Sequence, residues 1–472
     1  MENIIQQIAE KLIHKILERA YSGGISDIDA LSSDVLGDCR EAAIGIVEAI
    51  TAGLNQQIRD DKERRKAEGL VLKERERERS LLTELGRLNI PRDYYYDKEK
   101  DRYVYLLDHM IGLRGYKRVS DGVSAKLVSL ATEVSYENSA QIVTDGEVSR
   151  QSVRNSILRL GGIEKRPEEG AAKRKVRELH VFADEDHVHM QKECKEKGKK
   201  IRAVPLVTVT EGVEKESKGR NRTKEAMHFV DEKFNTKELW KSVEGYIGST
   251  YDTDVLEKIY LHADGGRWIN NGLEKFSNVR RVMDGFHLEK KLKEAGRRFP
   301  NRNLKNRIKE AMEADDRKKL DRILQSLYDA CKSEKDNEFV SEFGKYLFGN
   351  YKAIRNRLIY GEVGSCTEGQ VSHVLSKRFS RNPMGWSEEG LGKLTKQRVY
   401  VKNRGKIEAD DFKRSDVEKS RYGGYAERII KEACEGALDF SIFEKGIPIF
   451  DGNSGTQNML RKFGLERGIS LS

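Results

Sequence analysis

No stretch of this chain approaches the roughly 18 consecutive apolar residues that a membrane-spanning helix needs. Its first residues, Met-Glu-Asn-Ile-Ile-Gln-Gln, hold neither the basic region nor the apolar core of a secretory leader. Cysteine is scarce. Cys39, Cys194, Cys331, Cys366 and Cys434 are far apart and odd in number, which argues against a disulfide framework. No pair has the spacing of a zinc knuckle. No glycine-rich phosphate loop occurs, so no nucleoside triphosphate is implied. Together these absences point to a reducing, cytoplasmic setting with no membrane partner.

What the chain has in excess is charge. Charged residues make up 35% of its 472 residues, against about a quarter in ordinary domains, and long solvated helices would account for the surplus. The apolar share of 37% still suffices for real cores, and the length implies more than one domain. The net charge of +10 and pI near 9.0 favour a polyanionic partner. A merely basic soluble protein is the plainer reading of charge alone.

Residues 3–20 place Ile4, Ile5, Ile8, Leu12, Ile16 and Leu17 on one stripe and predict a helix. A second is expected over 34–52. Arg59 to Arg79 mixes Lys, Arg and Glu and reads as a solvated helix, with a DNA-facing arm as the functional alternative. Residues 80–107 flank a polar turn around Asp97 to Asp101, a hairpin signal. Tyr94, Tyr95, Tyr96, Tyr103 and Tyr105 there suit cross-strand packing or base stacking. Residues 121–160 read as three helices. The third has Ser149 as N-cap, Val153, Ile157 and Leu160 as its buried stripe and Gly161-Gly162 as its stop. Its outward face carries Arg150, Gln151, Arg154 and Asn155, side chains able to bond phosphates and base edges from a major-groove helix. An ordinary three-helix packing unit would show the same pattern.

Beyond a basic linker, Glu164 to Arg177, two strands end in acid: Leu179 to Asp186 and Lys258 to Asp264. Strands are also expected at Val188 to Gln191, Ile201 to Thr210 and Arg280 to Asp284. Helices are expected at Thr236 to Ile247 and near Trp268 to Phe276. That order predicts an α/β fold with a ribonuclease-H-like mixed sheet. Asp184 and Asp186 share one strand face, so alternation does not choose between them, while Glu185 points the other way. Further on, Glu368 closes Ser365-Cys-Thr-Glu and could serve a capping box. It also lies at helical spacing from Val371 and Leu375, on the face expected to pack inward, where a carboxylate would need a partner such as a metal. Both readings of Glu368 stay open at this point. Acids so placed suit phosphodiester cleavage, in which two Mg²⁺ ions roughly 3.5–4 Å apart stabilise the attacking and leaving oxygens. Mg²⁺ prefers such oxygen donors, with Mn²⁺ as the alternative. His187, His189, His262 and His287 lack thiolate partners and a His-x-x-x-His helix, which disfavours zinc. His287 instead orients a carboxylate or packs.

Five pieces carry a resemblance: Ala183-Asp-Glu-Asp-His-Val-His189, His262-Ala-Asp-Gly-Gly-Arg-Trp-Ile269, Met283-Asp-Gly-Phe-His-Leu288, the run from Cys366 to Arg378, and Pro383-Met-Gly-Trp-Ser387. In this order they resemble the insertion-sequence transposases of the ISLre-two type, related to bacterial and Mutator-like DDE transposases. The similarity runs from about residue 80 to residue 405. It implies Asp184, Asp264 and Glu368 as catalytic metal ligands, with Asp284 and His287 in support. Glu185 and Asp186 depart from the pattern, since relatives often have Gly and a hydroxyl residue there.

The resemblance also implies an organisation. A helical region (1–80) precedes a hairpin and helix-turn-helix-like DNA-binding domain (81–163). The catalytic domain is split (178–287 and 361–405) around an all-helical insertion (288–360) that in related enzymes contacts transposon ends, and a helical region (406–472) follows. In the insertion, Lys293, Arg297, Arg298, Arg302, Lys305 and Arg307 could bind phosphates. Helix is expected at Ala426 to Leu438 and a turn at Phe450. The implied activity is cleavage of double-stranded DNA at terminal inverted repeats and strand transfer into target DNA, by an oligomer of this chain at the nucleoid. A non-catalytic DNA-binding regulator and a nuclease without strand transfer are the alternatives.

Overall fold

The computed structural model describes residues 2–21, 27–164, 172–217 apart from 197 and 199, 220–264, 278–300, 303–360, 367–381 and 384–412, with isolated positions between 266 and 276. The described residues form two compact units. One holds those up to Ala125 together with 408–412, and the other covers 126–407. None of the described helices is long and apolar enough to cross a membrane.

In the first unit α1 (Glu2–Tyr21) packs along α2 (Ile28–Asp60). Arg19 ties them by ion pairs to Asp34 and Asp38 at 2.7 and 2.8 Å. The second helix is longer than the 34–52 expected, because Asp27 caps it early by accepting the Ala30 N–H at 2.7 Å. After α3 (Lys62–Ala67), Gly69 adopts a left-handed φ of 70° and turns the chain into β1 (Leu70–Thr83). The expected solvated helix over Arg59 to Arg79 is therefore corrected: its second half is a strand. Lys73 to Arg79 alternates basic and acidic residues with period two, which is a strand pattern rather than a helical one. β1 pairs antiparallel with β2 (Gly86–Asp97), and β2 with β3 (Arg102–Val104). Asp93 on β2, fully buried, accepts from Asn55, Arg59 and the N–H of Glu76. The tyrosines pack across strands, with Tyr94 on Tyr103 at 5.0 Å and on Tyr105 at 4.7 Å. α4 (Leu106–Met110) adds Leu106 and Leu107 to this core.

The second unit begins within α5 (Asp121–Ala131), which α6 (Tyr136–Thr144) and α7 (Arg150–Leu160) follow. Ser149 accepts the Ser152 N–H at 3.3 Å, and Gly161 ends α7 with φ 72°. Next come β4 (Glu178–His189), α8 (Lys192–Glu196), β5 (Ile201–Thr210), a hairpin of β6 (Gly212–Ser217) and β7 (Arg220–Lys224), β8 (Met227–Phe229), α9 (Thr236–Thr250), β9 (Lys258–Ala263) and β10 (Val279–Met283). Val188 to Gln191 is not a strand of its own. Pairing with β5 runs unbroken from His180 to His189, so the acidic segment sits mid-strand. The β6–β7 hairpin had no expectation. The main sheet has the order β10-β9-β4-β5-β8, with β9 and β10 parallel to β4, β5 antiparallel to β4 and β8 antiparallel to β5. α9 lays Leu239, Trp240, Val243 and Ile247 on one face, against Leu179, Val181, Val207 and Leu261.

Five helices follow: α10 (Gly285–Arg298), α11 (Leu304–Glu313), α12 (Arg317–Asp329), α13 (Glu334–Gly349) and α14 (Tyr351–Tyr360). Their stripes close a second core around Leu292, Ile308, Leu324, Phe343 and Ile354, and α14 packs on β10. The chain then forms α15 (Thr367–Val371), a π-helical turn (Ser372–Ser376), α16 (Lys377–Phe379) and α17 (Glu388–Lys402). Ser387 caps α17, as the sequence predicts, by accepting the Gly390 N–H at 3.2 Å. The helix expected at 426–438 and the turn at Phe450 lie outside the described residues. Of the short helix near Trp268, only isolated positions are described.

Candidate active site

Three parallel strands carry an acid at the same level. Ala183, Ala263 and Met283 are register partners across β4, β9 and β10. The next residues are Asp184, Asp264 and Asp284, which follow level positions on strands whose backbones lie about 4.8 Å apart. β9 and β10 stop there, whereas β4 continues past Asp184 along β5. The chain turns sharply after each strand that ends. Asp264 accepts the Gly266 N–H at 3.0 Å. Asp284 caps α10 by accepting the His287 N–H at 3.1 Å.

The electrostatics follow from crowding. Burial, with Asp264 and Asp284 nearby, pushes the Asp184 carboxyl up to about 6, although the Glu185 N–H donates to it at 2.8 Å. His287 stands against these acids. Its Nδ1 lies 3.1 Å from Asp284, which raises the imidazole pKa, with Asp184 and Asp264 adding to the effect. The hydroxyl of Tyr346, on α13, is buried without a hydrogen bond. Burial first, then Asp284 and Asp264, raise its pKa. Beside Asp264, His262 is buried and pushed down to about 3, so it stays neutral. It stacks on Phe182 at 4.6 Å and meets His180 at 3.0 Å, a packing role.

The donor set is all oxygen, the class that Mg²⁺ and Mn²⁺ take. A cation would also relieve the crowding that raises Asp184. Among the described residues, however, no three acids, histidines or cysteines stand close enough to hold an ion. Asp184 and Asp264 are the two carboxylates that could share an ion there. Glu368 is apart from them: it is exposed, in the first turn of α15, which packs against β4. It lines a cleft of about 850 Å³ with Gly285, Phe286, Glu289, Lys309 and Arg357. The inward face expected for Glu368 is thus corrected. Val371 and Leu375, on the face it was expected to share, are buried, whereas Glu368 stands in the first turn of α15 at the edge of the cleft. Ser365, the other half of the capping box, lies outside the described residues.

Asp186 has a different task from Asp184. It is buried, and its Oδ1 accepts the hydroxyls of Ser376 and Ser380, both at 3.0 Å. It therefore fastens β4 to the helical segment that begins with Glu368. Nothing in strand alternation separates the two acids. The serines that answer Asp186 are 190 and 194 residues away.

Of the residues expected to meet DNA, Arg150, Gln151 and Asn155 are exposed on α7, and Gln151 donates to Asn155 at 3.0 Å. Arg154 is half-buried, within electrostatic reach of Tyr136 and Glu389. Arg297 is exposed on α10. Arg298 is engaged in structure: it donates to the Lys335 carbonyl at 2.9 Å and covers the Phe339 ring at 4.6 Å.

Sequence reading missed three groups. One is Tyr346. The second is Arg357, whose guanidinium reaches so close to Gly285 that a Cβ there would meet it at 2.7 Å. The third is a buried pair of arginines that joins the three-helix segment to the rest of the unit. Arg398 donates to the carbonyls of Thr132, His373 and Val374 and pairs with Glu133 at 3.1 Å. Arg378 donates to Ala131 at 2.9 Å and lies over Trp386 at 4.9 Å. Their partners are too distant in sequence for spacing to reveal.

The model of the uncharacterised protein family UPF0236 matches residues 24–415. The chain belongs to the UPF0236 family. A UPF0236 protein of Caldanaerobacter subterraneus subsp. tengcongensis is 36% identical over 396 residues, covering 82% of this chain and 81% of the relative. A second from that organism is 36% identical over 408 residues, covering 85% and 82%, and its name spans eleven locus designations. The UPF0236 protein in the vanSb 3′ region of Streptococcus gallolyticus is 22% identical over 334 residues, covering 65% and 71%. The UPF0236 match spans both units, including the acids of β4, β9, β10 and α15.

Proposed function

We propose that this UPF0236 protein is a DDE-type transposase that cuts DNA at the ends of an insertion sequence and joins them to target DNA. The observation that carries the reading is the row of Asp184, Asp264 and Asp284 one residue beyond a shared register position. The sheet supports it too. The first strand lies at the centre, with an antiparallel meander of two strands on one side and two parallel strands on the other, in accord with a ribonuclease-H-like fold. A relative whose single name spans eleven loci of one organism fits an element that copies itself.

In this reading Asp184 and Asp264 hold a divalent ion, Mg²⁺ or Mn²⁺, and Glu368 completes the set when the cleft closes on DNA. Bound there, the ion stabilises charge on the attacking and leaving oxygens of an in-line displacement. Asp284 keeps the His287 imidazole charged and turned toward the acids. Arg357 supplies a cation to the cleft beside Glu368, where Lys309 is paired with Glu289, and α7 offers Arg150, Gln151 and Asn155 to the duplex. One observation favours a second reading, a non-catalytic DNA-binding regulator: the third acid is not assembled with the other two among the described residues.

The test is incubation of the purified chain with labelled terminal repeats, a target plasmid and Mg²⁺. Cleavage and joined products that disappear with Asp264→Asn support the transposase. Binding without any cleavage leaves the regulator, and cleavage without joining leaves a nuclease.

A further inference from the structure

At the opposite end of β9 and β10 from the acids lies a second cavity, of about 770 Å³. Lys258 opens β9 and Arg280 and Arg281 lie near the start of β10. Arg317 and Lys352 reach the same space from the starts of α12 and α14. Among the described residues, five cations line this cavity and no carboxylate does.

The cations are held in place. Arg280 lies over the Tyr360 ring at 4.1 Å and Arg317 over Tyr351 at 4.5 Å. Arg281 donates from Nη2 to Asn350 at 2.9 Å, while its Nε is buried with no hydrogen-bond partner. Few acids offset them: Asp315, beside Tyr351, pairs with Arg355, and Glu178 accepts the Tyr260 hydroxyl. Like charges gathered in excess of their counter-charge cost free energy unless an anion joins them. Guanidinium forks match the geometry of phosphate oxygens, and aromatic rings hold them ready for it.

The geometry points to a phosphate-binding site in this cavity, taking phosphodiester groups of a nucleic-acid backbone. A cavity this open, with cations on four elements and the exposed ring of Phe348 at its rim, suits a polymer better than one small anion. The inference is independent of whether the acids at the other end of the strands cut DNA.

The test measures binding of labelled duplex DNA to the full chain in EDTA, between about 50 and 200 mM salt. Arg317 and Lys352 are both exposed, so the double variant Arg317→Gln/Lys352→Gln should fold, which its melting temperature checks. It should bind more weakly, with the slope of log K against log salt smaller by up to about 1.8. The control Lys318→Gln/Lys332→Gln removes equal charge from exposed positions outside the cavity and should change the slope less. Equal losses in the two variants overturn the site. A second arm titrates pyrophosphate by calorimetry. Pyrophosphate binding that the Arg317/Lys352 variant loses, with DNA binding unchanged, keeps the phosphate chemistry and overturns the nucleic-acid source. The assay holds no divalent ion, so metal-dependent cleavage does not contribute to it, which separates this site from the proposed catalysis.

Discussion

Asp184 and Asp264 stand side by side because Ala183 and Ala263 are register partners in parallel strands. Neighbouring parallel strands keep equivalent positions level, so two carboxylates 80 residues apart in sequence share one end of the sheet. Their crowding is a cost to the folded chain that a cation would remove.

That cost gives a pH signature. The folded Asp184 carboxyl titrates near 6, above its ordinary 3.8. The folded state thus holds the proton more tightly than the unfolded one. Without divalent ions, stability should fall as pH rises from about 4 to about 6, by at most roughly 3 kcal/mol. Urea melts at pH 4.5 and 7.5 check this. Asp184→Asn should flatten the dependence and raise stability at neutral pH, and an unchanged slope in the variant would assign the effect elsewhere.

Metal affinity should follow the same proton. An ion needs Asp184 ionised, so Mn²⁺ binding should weaken by up to about tenfold for each pH unit below 6. Calorimetric titration at pH 5 and 7.5 measures it. Equal affinity at both values would mean that Asp184 is not a ligand.

Asp184 and Asp186 should behave differently on truncation. Asp186→Ala leaves the Ser376 and Ser380 hydroxyls without their acceptor and should cost about 1–3 kcal/mol. Asp184→Ala should cost little stability but abolish cleavage. Equal melting temperatures for the two variants would contradict the separate roles.

Arg398 is fully buried, with three carbonyls and Glu133 as partners. Arg398→Met should destabilise the chain by about 3–5 kcal/mol, since the uncompensated groups stay buried. A chemical denaturation midpoint within error of the unsubstituted protein would refute that role.

Two glycines should respond in opposite directions. A Cβ on Gly392 would stand 2.0 Å from the Glu232 carbonyl oxygen, which is backbone and cannot swing away. Gly392→Ala should cost about 1–3 kcal/mol or more through overpacking. Gly296, inside α10, has nothing within 4 Å of such a Cβ. Gly296→Ala should gain about 0.5–1 kcal/mol from helix propensity alone. Thermal melts of both variants decide it.

Where a signal is local, the sequence carried it. Ser149 and Ser387 cap the helices they were expected to cap, because a cap is a bond across three residues. Gly161 ends α7 for the same local reason. The strands carrying Asp184 and Asp264 were legible from apolar runs ending in acid. The strand at Lys73 to Arg79 was legible too, but only to an eye counting in twos, since mixed charge serves a helix and a strand equally well.

By itself, then, the sequence determined most of the longer helices, most of the strands of the main sheet and the acids that follow Ala183 and Ala263. Each depends on neighbours within a few residues. Only the tertiary structure separated Asp184 from Asp186, because the serines that claim Asp186 come from a helix nearly two hundred residues on. It alone set Glu368 exposed at the edge of a cleft, although Val371 and Leu375 at helical spacing from it are buried. It alone gathered Lys258, Arg280, Arg281, Arg317 and Lys352 around one cavity. Long-range register and packing bring such groups together, and no spacing along the chain records them.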